Sequence, residues 1–325
     1  MRLAALLLGV ELVAACTPDP TAGPTRDAAP SASATPTPDT TSKEPPATVT
    51  ADPTPRPPRP LRVATALEAV GRLAGRIGPR PGTSPAYFRA AAWVEGRLET
   101  LGYDVRRQQF RAPAGVSWGV PVPAGRSVNL VATWGRVDLA SPHLVVGAHL
   151  DTVPQAPGAE DNASGVGTLL AVAEAVGDRR TRLPVVLVAF GAEEPRGPTD
   201  DDHHYGSTHY VDQLGPAERR AVRGMVALDR VGVGPVVPVC SATPEPGAVR
   251  AQLLAAAERV GVPARPCVGN TASDHWSFVK EGMPGARLGS TPYAGYHSPD
   301  DVVAVVRPDQ LRRAALTTVA WLSGP

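Results

Sequence analysis

Leu144-Val145-Val146-Gly147-Ala148-His149-Leu150-Asp151 is a short apolar run that ends in an imidazole and a carboxylate. A continuous apolar run of this length suits a strand buried on both faces, as in a parallel sheet. The pattern recurs three times. Val185-Val186-Leu187-Val188-Ala189-Phe190 leads to Glu193-Glu194, and Met225-Val226-Ala227-Leu228 ends in Asp229. Ala286-Arg287-Leu288-Gly289 leads within a short loop to Tyr296-His297. Asp161-Asn162 stands between the first two runs, heading a helical pattern of Val166, Leu169, Leu170, Ala173 and Val176. Open α/β sheets gather their strand ends on one edge, where ligands bind. His and carboxylate side chains at several such ends, with no thiolate among them, predict a metal site built for hydrolysis.

Working outward, the globular composition begins at Leu61. Leu67, Val70, Leu73, Ala74 and Ile77 recur at helical spacing, and Gly78-Pro79-Arg80-Pro81-Gly82 ends that helix. Ser84 to Leu101 reads as a second helix, with Ser84 as cap, Pro85 in the first turn and Gly102 at its close. Tyr103 to Phe110 and Ser127 to Thr133 read as strands around a Pro/Gly-rich loop. Further helices are expected near 164–177, 208–214, 246–260 and 308–322. Alternating strands and helices predict a mostly parallel sheet covered on both faces.

The N-terminal part has a different character. Met1-Arg2 is followed by apolar Leu3 to Ala15 and then Cys16, too short a run for a stable span and suited to a signal-peptide core. Val13-Ala14-Ala15-Cys16 resembles the lipobox of bacterial lipoproteins, which makes Cys16 the candidate lipidation site; a plain secretory signal is the alternative, and Glu11 fits neither well. Residues 17–60 contain thirteen prolines among 44 positions, and Val49 is the only larger aliphatic. Such a segment buries too little apolar surface to fold and favours extended conformations, so it reads as a disordered linker. The domain plan is therefore 1–16 signal peptide with lipobox, 17–60 linker and 61–325 catalytic domain. An exported chain, lipid-anchored on the outer face of the cell membrane or secreted, permits a disulfide between Cys240 and Cys267. Lys and Arg total 32 against 31 Asp and Glu, and aromatics are scarce, so nucleic acid is not an expected partner. Nothing in the sequence sets an oligomeric state.

The chemistry follows from the spacing. His149 and Asp151 fall on one side of an extended backbone, with His149 as ligand and Asp151 as its orienter. Asp161 is either a helix cap or a carboxylate bridging two cations. Adjacent Glu193 and Glu194 repel each other and are costly to bury without a cation. They point different ways, so one can ligate while the other acts as general base. With Asp229 and His297 the set reaches five ligands: His149, Asp161, Glu194, Asp229 and His297. If Asp161 is shared, each of two cations has three protein ligands and an open position for water.

From about Leu67 onward the chain resembles the co-catalytic two-zinc aminopeptidases, metallopeptidase family twenty-eight, which includes bacterial leucine-type aminopeptidases. The motifs that carry the resemblance are Asn129-Leu130-Val131-Ala132, Gly147 to Asp151, Pro157 to Gly165, Phe190 to Glu194, Leu228-Asp229, Ser273 to Phe278 and Tyr296 to Asp301. The resemblance implies a three-layer α/β/α sandwich of zinc-exopeptidase type with a mostly parallel mixed sheet. It implies two Zn2+ per chain, with Co2+ or Mn2+ as substitutes, and peptides with a free N-terminus as substrates. It assigns His149, Asp161 and Asp229 to one zinc and Asp161, Glu194 and His297 to the other. Glu193 matches the general base acting on the zinc-activated water, Asp151 the partner of His149, and Tyr296 a donor to the oxyanion. A cis peptide between Asp161 and Asn162 is also implied.

Departures from the family pattern are local. Pro195 to Tyr205, with Asp200-Asp201-Asp202-His203-His204, lengthens the link to Gly206-Ser207, and a solvated insertion beside the cleft is expected. Arg230 stands where an apolar residue usually follows the ligand aspartate; if it points into the site it alters recognition of the substrate terminus, and if it points away it is neutral. His275 reads as structural, and His143 and His209 as surface residues. Glutaminyl cyclases, zinc acyltransferases on the same scaffold, are the alternative enzyme class, and carboxypeptidase-type relatives a third. A non-catalytic binding lipoprotein predicts a missing ligand or base, and none is missing.

Overall fold

The computed structural model describes residues 56–325 apart from 245–246. Cys16 and most of the expected linker lie outside the described residues. The chain is tied to the domain slightly ahead of Leu61: Arg59 donates its amide to Ala175 O, and Arg180 donates to Arg56 O, both at 2.8 Å.

The strands are β1 (Asp104–Ala112), β2 (Gly115–Ser117), β3 (Val120–Val122), β4 (Gly125–Thr133), β5 (His143–His149), β6 (Val185–Phe190), β7 (Val222–Asp229), β8 (Val237–Cys240), β9 (Ala264–Cys267) and β10 (Gly285–Gly289). The helices are α1 (Val63–Val70), α2 (Pro85–Thr100), α3 (Gly165–Val176), α4 (Tyr205–Asp212), α5 (Pro216–Ala221), α6 (Ala248–Arg259), α7 (His275–Lys280) and α8 (Pro308–Ser323). A wider turn, Gly71–Ile77, prolongs α1, and Gly78 ends it in the left-handed region. Ser84 caps α2 by accepting the Tyr87 amide, as its sequence predicts.

Eight strands form one sheet in the order β1-β4-β6-β5-β7-β10-β8-β9. The central four, β6, β5, β7 and β10, are parallel, whereas β4 and β8 run antiparallel to their inner neighbours. Along β5, Leu144, Val146 and Ala148 face one core and Val145 the other. β6 divides likewise, Leu187 and Ala189 against Val186, Val188 and Phe190, the two-residue period of a strand with both faces covered. The larger core lies under α1, α2, α3, α6 and α8; α4 and α7 cover the opposite face. The fold is a three-layer α/β/α sandwich with a mixed, largely parallel sheet.

The disulfide that the sequence permits is formed: Cys240 and Cys267 are register partners on β8 and β9 and are joined. Other elements escape the sequence reading. His143 is not a surface residue: it opens β5 and is fully buried, because the central strand is covered at its start as well. His209 is half-buried and stacks on Phe110 at 5.3 Å. The Pro/Gly-rich loop contains the hairpin β2–β3, whose turn residues Trp118 and Gly119 both have positive φ, 46° and 83°. Such a turn matches strand twist but normally carries Asn or Asp ahead of Gly, which hides it from a sequence reading.

Candidate metal centre

Because β5, β6, β7 and β10 are parallel, their ends place His149, Glu193, Glu194 and Asp229 on one edge, with His297 arriving on the loop after β10. Asp161 enters from the turn Ala159–Ser164 ahead of α3, and its peptide bond to Asn162 is cis. All six side chains are buried. Asp161 Oδ1 lies 3.2 Å from His149 Nε2, and Oδ2 lies 3.1 Å from His297 Nε2. Asp229 Oδ1 is 3.7 Å from His149 Nε2, and Glu194 Oε2 is 3.4 Å from His297 Nε2. Two overlapping triads have ligand atoms within 4.8 Å of one another: His149, Glu193 and Asp229, and His149, Asp161 and Glu194.

These residues fit cations. Four carboxylates share one buried pocket, and Glu194 Oε1 has no hydrogen-bond partner. Buried like charges are costly unless cations compensate them. Burial pushes Glu193 up to about 7, with Asp229, Asp151 and Asp161 adding to it, and Glu194 also stands well above the usual range. Burial acts on Asp229 in the same direction, but Arg287 and His149 hold it well below that range. Oxygen and imidazole donors without thiolate suit two divalent ions such as Zn2+.

The turns that aim these side chains are fixed from behind. Asp151 accepts the amides of Glu193 (3.0 Å) and Glu194 (3.2 Å), whereas its approach to His149 Nδ1 is 3.8 Å, too long for a hydrogen bond. Its direct contacts therefore orient the Glu-Glu turn rather than the imidazole. Asp301 accepts the amides of Glu160 and Asp161 at 2.8 and 3.0 Å. Glu160 accepts from Gly232 and Val233, and Asn162 donates to Leu228 O and accepts from Arg230 N. These bonds tie the Asp161 turn to the end of β7. Position 158 needs glycine on two counts: its φ is 66°, in the left-handed region, and a Cβ there would meet Asp161 O at 2.4 Å.

Four site residues have no clear signature in the sequence. Arg80 is fully buried and donates to Leu150 O (2.7 Å), Pro157 O (2.7 Å) and Gly158 O (3.1 Å), the loop between His149 and Asp161. Arg287, inside β10, reaches Asp229 Oδ1 at 3.0 Å. His204 belongs to the insertion expected to be solvated, but it is 3% exposed, with Nε2 at 3.3 Å from Glu193 Oε1. The Thr199–Asp202 turn does face solvent; the loop then folds inward because His204 N and Tyr205 N donate to Glu193 O and Ala192 O. Trp118, at the hairpin tip, packs against the His297 ring at 4.4 Å and Tyr296 at 5.7 Å. Tyr296 stacks on His297, with Arg230 above its ring. His275 is buried against Asn270 O.

Residues 129–322 match the sequence model of Peptidase family M28. The chain is 29% identical over 206 residues to aminopeptidase YwaD of Bacillus subtilis, covering 60% of this chain and 44% of that protein. It spans about half the length, or less, of the curated relatives it matches. Among solved structures, BSAP, a zinc aminopeptidase from Bacillus subtilis, superposes with a TM-score of 0.71 at 18% identity, over 81% of this chain and 94% of the other. Porphyromonas gingivalis glutaminyl cyclase superposes with a TM-score of 0.69 at 20% identity, over 81% and 98%. At these identities the superpositions show the shared fold.

Proposed function

The chain belongs to peptidase family M28, and on that premise we propose that it is a metal-dependent aminopeptidase, releasing the first residue of peptides with a free N-terminus. The observation that carries this reading is the pair of contacts from one carboxylate: Asp161 faces His149 with Oδ1 and His297 with Oδ2. A bridging carboxylate suits two cations held side by side. His149 and Asp229 would complete one cation's ligands, and Glu194 and His297 the other's. When bound, two zinc ions supply Lewis acidity at the scissile carbonyl and make water a nucleophile near neutral pH.

The chain's own groups do the rest. Glu193 takes the proton from the attacking water and passes it to the leaving amine. Asp151 holds the Glu193-Glu194 turn through its two amides. Tyr296 stacks on His297 at the cleft and is the donor toward the developing oxyanion. Residues 61–325 are the catalytic domain. Cys16 is read as the site of a lipid anchor on the outer face of the membrane and 17–60 as its spacer, on the strength of Val13-Ala14-Ala15-Cys16 and the proline content.

Because the fold also hosts a glutaminyl cyclase, the deciding assay compares release from a leucyl anilide with cyclisation of an N-terminal glutaminyl peptide, each with chelator and with added zinc. Chelator-sensitive anilide release without cyclisation is expected; cyclisation alone would overturn the assignment. Loss of fatty-acid labelling in Cys16→Ser tests the anchor.

A further inference from the structure

Arg230 directly follows the ligand Asp229 and lines the same small cavity, about 70 Å³, as His149, Glu193, Glu194 and Tyr296. Its backbone lies in the left-handed region (φ 55°), uncommon for a long side chain. That conformation is held on both sides: Arg230 N donates to Asn162 Oδ1 at 3.2 Å, and Ser290 N donates to Arg230 O at 3.1 Å. The guanidinium is placed too. It lies 4.2 Å from the Tyr296 ring centre and donates through Nη2 to Ser290 Oγ at 3.0 Å. Among the described residues no carboxylate comes within 4.0 Å of it, whereas Arg287 on the neighbouring strand is paired with Asp229. The carboxylates acting on Arg230 are Asp161 and Asp229, and in the proposed enzyme those two are the ones neutralised by cations. The loaded site then holds a half-buried guanidinium with no counter-anion, at the wall of the substrate cleft. A guanidinium fork in that setting matches a carboxylate.

We infer that Arg230 is a specificity-determining residue that binds a carboxylate of the substrate in the cleft it shares with His149, Glu193 and Glu194. This rests on the aminopeptidase reading above. Two parts of a substrate carry such a group: the side chain of an N-terminal Glu or Asp, and the free C-terminus of a dipeptide. In either case a neutral substrate leaves the half-buried guanidinium without an anionic partner, which is how a polar site rejects an analogue lacking its partner.

The test uses the full, zinc-loaded chain. One arm compares kcat/KM for glutamyl and glutaminyl anilides, and the other a dipeptide with its C-terminal amide. In at least one arm the carboxylate form is expected to be favoured by about 100-fold. Arg230→Leu should reduce that preference to about threefold or less, and Arg230→Lys should keep part of it, since the charge remains without the planar fork. Calorimetry of L-glutamate against L-glutamine, and of a dipeptide against its amide, reads the same contact without turnover. A wild-type enzyme that cleaves neutral and carboxylate substrates alike in both arms overturns the inference and leaves the aminopeptidase reading standing. So does a preference that survives in Arg230→Leu. If no substrate is cleaved, the aminopeptidase reading fails instead, and equal affinity for the carboxylate and neutral ligands then overturns the role of Arg230 separately.

Discussion

Glu193 Oε1 lies 3.3 Å from His204 Nε2, so the proposed general base touches an imidazole delivered by the insertion after Glu194. Burial pushes His204 down to about 4, which leaves it neutral around pH 7. A neutral ring beside one carboxylate oxygen holds the base in place without adding charge to the cation site. His204→Ala is therefore expected to lower kcat about 10- to 100-fold, the scale of losing a supporting contact. KM and zinc content should stay near wild type, and His204→Gln should recover part of the loss. Steady-state kinetics with metal analysis checks this; loss of zinc in His204→Ala would instead mark the residue as part of the metal site.

Metal stoichiometry separates the ligands from the base. Glu193→Gln is expected to cut turnover by at least about 100-fold, the lower end of general-base contributions, while retaining two zinc ions per chain. Asp161→Ala removes the carboxylate facing both histidines. It should lose more zinc than Glu193→Gln, and mass spectrometry of dialysed protein decides between them.

Without cations, burial holds Glu193 near 7 and Glu194 well above the usual range. At these two carboxyl groups the folded state holds more protons than the unfolded chain between about pH 4.5 and 7, so their contribution to the stability of the metal-free protein falls as pH rises through that window. Cation binding needs the same groups ionised and strengthens as pH rises. The gap in melting temperature between zinc-loaded and chelated protein should therefore widen from pH 6 to pH 8. Scanning fluorimetry at the two pH values tests it; a narrowing gap contradicts the charge balance described for the site.

Arg80 presents a buried guanidinium to three carbonyls of the loop between His149 and Asp161. Arg80→Met keeps much of the volume and strands those acceptors, at a cost of about 1–3 kcal/mol for each left unsatisfied. A lower denaturation midpoint and weaker zinc retention are expected together. Unchanged zinc affinity in a folded variant would separate the loop from the metal site.

What the sequence determined by itself is the layered fold and the candidate ligand residues. Both are written in local patterns: apolar runs long enough for buried strands, each ending in His, Asp or Glu, and helical spacing between them. Parallel strands with like ends on one edge then bring residues as distant as His149 and His297 together. Tertiary structure alone decided the roles of Arg80, Arg287, His204 and Trp118. Each is a residue type, or stands in a Gly- and Pro-rich context, that reads locally as surface, strand filler or turn. Arg287 sits within an apolar strand run, and only the pairing of β10 with β7 sets it beside Asp229. His204 follows three aspartates, and only the backbone bonds to Ala192 and Glu193 fold it inward. Burial of a polar side chain depends on what distant segments place over it, and that information is not local to the residue.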